Sequence, residues 1–110
     1  MSQPALEREL CYSKLAEDPD CVELVELFVH DLGDRLAELR RAETAHDWDA
    51  VGCLAHQIKG AGGSYGFPGL TAAALDLEHA ARKLRSPSEI AIALDQLAEV
   101  CGRVRAGIPQ

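Results

Sequence analysis

Apolar residues recur at alternating steps of three and four through most of this chain, and no other feature limits its fold so strongly. Cys21, Val25, Phe28, Leu32, Leu36 and Leu39 form the longest series. A second runs Val51, Leu54, Ile58, Ala61, Tyr65; a third Leu70, Ala74, Leu77, Ala81, Leu84; and a fourth Ile90, Leu94, Leu97, Cys101, Val104. Each places one aliphatic stripe along a helix, and a stripe of that width has to be covered by other stripes. Aromatics are only 5% of the chain, which favours helices meeting through aliphatic seams over a β-sandwich. A chain of 110 residues has room for one core, so a single domain over 1–110 is expected.

The breaks between stripes carry helix-start signals. Asp18 and Pro19 open a helix predicted over 19–44, and Asp47 is placed to cap the next, over 48–65. Gly66, Phe67 and Pro68 interrupt the pattern before a helix over 68–85. Ser86 and Glu89 have capping-box spacing around Pro87, which starts a helix over 87–106. Ahead of these, Ser2 and Pro4 with Leu6, Leu10 and Leu15 suggest a short helix over 4–16. The expected fold is all-α: an antiparallel up-down four-helix bundle with this additional short N-terminal helix packed across one end. No strand is expected.

Charge and cysteine usage remove several functions. The formal net charge of −7 argues against nucleic acid, whose phosphates call for a surplus of Lys and Arg on one face. The richest apolar run, Val22 to Val29, is broken by Glu23 and Glu26, so no membrane span is expected, and the first residues lack the basic and apolar regions of a secretory signal. A cytoplasmic protein is expected. Cys11, Cys21, Cys53 and Cys101 contain no C-x-x-C pair and are read as small buried hydrophobes in a reducing compartment.

Five of the nine glycines lie between Gly60 and Gly69. Gly60, Gly62 and Gly63 fall inside a predicted helix, where each costs about 1 kcal/mol relative to Ala. At about 100° per residue, His56 points directly away from the stripe of its helix, with Lys59, Gly60 and Gly63 beside it at the i+3, i+4 and i+7 positions. Gly62 could let a neighbouring helix approach; Gly60 and Gly63 face outward and keep the surface around the histidine low. His30, His46 and His79 have no such surroundings and are read as solvated.

One exposed histidine beside one lysine does not make a metal site, since no His or Cys stands at i+3 or i+4. It does not make a hydrolytic triad either, because no nucleophile elbow is present. A histidine side chain, with an ordinary pKa of about 6.5, is largely neutral near pH 7 and leaves one ring nitrogen with a free lone pair. Such a nitrogen can accept a phosphoryl group, whose charge a lysine can neutralise. No P-loop or kinase signature accompanies it, so the phosphoryl donor has to be another protein.

The segment from Ala55 to Gly66, with His56, Lys59, Gly60, Gly63, Tyr65 and Gly66 in place, resembles the signature of the histidine-containing phosphotransfer (HPt) domain. The likeness continues through Leu77-Glu78, through Leu27-Phe28 and through 39–45, and so spans nearly the whole chain. It implies a phosphocarrier of a multistep His-Asp phosphorelay, with His56 as phosphoacceptor on Nε2 and Lys59 steadying the phosphoryl oxygens. Glu78 would bond the other imidazole nitrogen, although a solvated carboxylate is an equal reading of it. Gln57, Gly60, Gly63, Ser64 and Phe67 would form the partner-docking surface.

The implied partners are response-regulator receiver domains and a hybrid sensor histidine kinase. No cofactor would be bound by this chain, Mg²⁺ belonging to the receiver, and a monomer without autokinase machinery is expected. Two alternatives remain: a helical bundle that binds receivers without transfer, and the phosphoacceptor and dimerisation bundle of a sensor kinase. The second lacks its usual H-E-x-x-x-P pattern, since Gln57 follows His56. Phe67-Pro68-Gly69 departs from the family's usual small and polar residues. The negative charge is expected to lie away from His56, with Lys59 the local exception.

Overall fold

The computed structural model describes residues 11–12 and 22–105. Four helices follow one another: α1 (Val22–Thr44), α2 (Trp48–Ser64), α3 (Pro68–His79) and α4 (Pro87–Arg103). A π-helical turn, Ala80–Leu84, extends α3. Two short strands, β1 (Cys11–Tyr12) and β2 (Val104–Arg105), pair in parallel with Cys11 opposite Val104. The architecture is the all-α bundle expected from the stripes.

Local chemistry sets the boundaries. Asp47 accepts a hydrogen bond from the Ala50 N–H at 3.1 Å and caps α2. Ser86 does the same for the Glu89 N–H at 3.4 Å, with Pro87 at the start of α4. The end of α2 is closed by Gly66 at φ 78°, which lets the Phe67 N–H reach the Gly62 carbonyl at 2.8 Å and the Gly66 N–H the Gly63 carbonyl at 3.4 Å. This is a Schellman closure, and the apolar residue after the glycine turns inward with it.

The core joins all four helices through Val25, Phe28, Leu32 and Leu39 of α1, Val51, Ala55 and Ile58 of α2, Leu70, Ala74 and Leu77 of α3, and Ile90, Leu94 and Leu97 of α4. Phe28 lies 5.0 Å from the Tyr65 ring and 6.0 Å from that of Phe67.

Several expectations are corrected. The 4–16 helix lies outside the described residues except for Cys11–Tyr12, whose backbone pairs with a strand instead of closing a helical turn. The last helix ends at Arg103, because Val104 turns extended to pair with β1 and is buried there. Leu84 is 50% exposed, since the wider π turn rotates it off the α3 stripe. Cys53 is exposed, on the side of α2 away from the core. Cys101 is half-buried, and burial pushes its thiol pKa up to about 11.

Candidate functional site

The site grows from how closely α2 and α3 approach. A methyl group on Gly62 would lie 2.9 Å from Thr71 Oγ1 and 3.2 Å from the Thr71 backbone nitrogen, so the bare backbone of α2 packs directly against Thr71 of α3. The Thr71 hydroxyl also donates to the Lys59 carbonyl at 3.3 Å. This contact ties the start of α3 to the turn of α2 that carries Lys59. From it α3 runs back along α2, and two turns later Glu78 comes level with His56.

Glu78 is the centre of the cluster. Its Oε2 lies 2.9 Å from His56 Nδ1, and its Oε1 accepts from Lys59 Nζ at 2.8 Å. Arg82 Nε donates to Oε2 at 3.1 Å. The Glu78 side chain is 13% exposed and that of His56 60%, so a nearly covered carboxylate supports an open imidazole. The Lys59 ammonium holds the Glu78 carboxyl below its ordinary value; partial burial opposes this and the His56 hydrogen bond reinforces it. An ionised carboxylate can only accept, so Nδ1 carries the hydrogen and Nε2 of the neutral ring keeps its lone pair. Nε2 makes no hydrogen bond within the described residues.

Around this cluster the surface is low. Nothing lies within 4 Å of where a Cβ on Gly60 would be, and Gly63 is exposed beside it. Gln57 and Ser64 are exposed as well. Phe67 is not part of this surface. It is 2% exposed and packed into the core against Phe28, where the Schellman turn directs it, which corrects its assignment to docking.

Two contributions were missed from the sequence. Arg82 is a second cation at the site, so Lys59 is not the sole local exception to the negative charge. The signal was its i+4 spacing from Glu78, together with Gly52 at i−4 from His56, over which the Arg82 stem lies. On the other flank, a groove of about 430 Å³ runs between α1 and α2, lined by Leu24, Leu27, Asp31, Arg35, Ala61 and Ser64 among others. Leu24 and Leu27 are half exposed there, off the core stripe of their helix.

The model of the Hpt domain matches residues 23–107. The chain belongs to the Hpt domain family. No curated protein and no solved structure matches it. As an Hpt domain it has a phosphotransfer role in a His-Asp phosphorelay, acts as a phosphocarrier and interacts with response-regulator receiver domains. Among the described residues no helix is long and apolar enough to cross a membrane.

Proposed function

We propose that His56 carries the phosphoryl group on Nε2, accepting it from the aspartyl phosphate of one receiver domain and passing it to the aspartate of another. The observation that carries this reading is the 2.9 Å contact between Glu78 Oε2 and His56 Nδ1, which leaves Nε2 as the nucleophile. In each transfer the Nε2 lone pair forms the new bond to phosphorus as the bond to the aspartate oxygen breaks; the reverse step returns the pair to Nε2. Lys59 has three donor hydrogens, of which Glu78 takes one, so the ammonium can also meet a phosphoryl oxygen without leaving the carboxylate.

In this reading the chain itself holds no cofactor and uses no ATP, and magnesium belongs to the receiver. The domain works as a cytoplasmic monomer between receivers and a hybrid sensor histidine kinase. Gln57, Gly60, Gly63 and Ser64 form the floor on which a receiver sits, and the apolar wall of Leu24 and Leu27 extends it. Mixing the protein with a phosphorylated receiver tests the assignment. Wild type gains acid-labile phosphate and His56→Gln, still helical, gains none; equal labelling of the two would reject His56.

A further inference from the structure

One carboxylate here serves three donors, and only one of them is the imidazole. The ionisable groups one turn from His56 on α2 are Cys53 and Lys59; from the α3 side they are Glu78 and Arg82, with His79 and Lys83 next along. Among the described residues no hydrogen bond or ion pair reaches this cluster from α1 or α4. Arg82 is held by two contacts. Its Nε bonds the same Glu78 oxygen as the imidazole, and its stem crosses Gly52, where a Cβ would lie 3.0 Å from Cγ and 3.2 Å from Nε. The glycine thus leaves the space through which the guanidinium reaches the carboxylate.

We propose that the charge of Glu78, shared out by Arg82 over Gly52, sets how readily phosphorylated His56 gives up its phosphoryl group. This rests on His56 being the acceptor. When the P–Nε2 bond breaks, its electron pair returns to Nε2 while an oxygen of the incoming aspartate, or of water, bonds to phosphorus. If Nδ1 is protonated the departing group is a neutral imidazole. If it is not, the departing group is an imidazolate, a far poorer one. A carboxylate beside Nδ1 favours the protonated ring, as it does in hydrolytic triads, and a cation on that carboxylate weakens the effect. Glu78 and Arg82 are therefore positioning residues acting in opposite directions, both through Nδ1.

The test is the pH profile of phosphohistidine hydrolysis after loading with phosphoramidate, in which the P–N bond to ammonia breaks as the bond to Nε2 forms. Glu78→Gln keeps an acceptor of the same shape without the charge. Its profile should shift to lower pH by about one unit, making the phosphorylated form up to about tenfold longer-lived on the alkaline side. Arg82→Gln should shift the profile the other way, by less. A Glu78→Gln profile that superimposes on wild type overturns the proposal, and so does an Arg82→Gln profile whose inflection stays in place while its plateau rises, since that marks a direct contact with the phosphoryl oxygens. Failure of the underlying assignment looks different: phosphoramidate then labels His56→Gln as well as wild type.

Discussion

The two ends of the α2–α3 interface are built on opposite principles. At one end the bare backbone of Gly62 lies against the hydroxyl and the backbone nitrogen of Thr71, and that packing sets the separation of the helices. At the other, His56 and Lys59 reach Glu78 across the gap, and their side chains meet the carboxylate at the separation the backbone sets. The rigid end is held by close packing and one Thr71 hydrogen bond, and the chemical end supplies little rigidity. Glu78 stands at hydrogen-bonding distance from an exposed imidazole because the approach was fixed two turns earlier. A site that has to stay open to a partner cannot be braced by packing on its own outer side.

The comparison breaks most clearly at Gly62. Gly62→Val places its branches against Thr71 backbone, which cannot swing away, and should cost about 2–3 kcal/mol in a urea melt. It should also slow receiver-dependent phosphorylation of the folded fraction, by moving Glu78 from the ring. Gly60→Ala, on the same helix but with nothing near its Cβ, should raise stability by about 0.5–1 kcal/mol, the ordinary gain of replacing an exposed helical glycine. Equal signs for these two changes would contradict the contrast between a packed and an open glycine.

At the polar end the expected effect on stability is smallest. The Glu78 carboxyl is held below its ordinary 4.5, so its contribution is complete above that value and is lost as pH falls through the lower folded-state value. Glu78→Gln should therefore be less stable than wild type near neutrality by about 0.5 kcal/mol, a small figure because two of its three partners are well exposed. The two melting curves should converge in acid. A gap that persists there would mean that Glu78 matters for packing and not for charge.

The stripes made the bundle legible because Leu, Val and Ile announce a buried face by their size. Small residues announce nothing, and the face of α2 is partly theirs: Ala55, Gly52 and Gly62 are buried while Leu54, Ala61 and Tyr65 are half-buried. The buried direction is turned by roughly 50–60° from the centre of the large residues, toward Lys59. His56 still emerges on the open side, which is why it and Lys59 could be read from spacing alone. Phe67 could not, because its direction depends on the φ of Gly66 and not on any periodicity. Arg82 escaped for a similar reason, since the space that admits it is the missing side chain of Gly52 on another helix.

The π turn at Ala80–Leu84 divides α3 into a part that faces the imidazole and a part that does not. A π turn holds one residue more than an α turn closing the same length of helix. Removing one residue between 81 and 84 would let it close as α-helix, rotating all that follows by about 100° while Glu78, upstream, keeps its place. A change of length here thus redirects the path into α4 and displaces Arg82, which the turn carries, while leaving Glu78 itself beside the imidazole. An insertion or deletion between Lys59 and Glu78 has no such freedom, because it changes the reach across the gap itself.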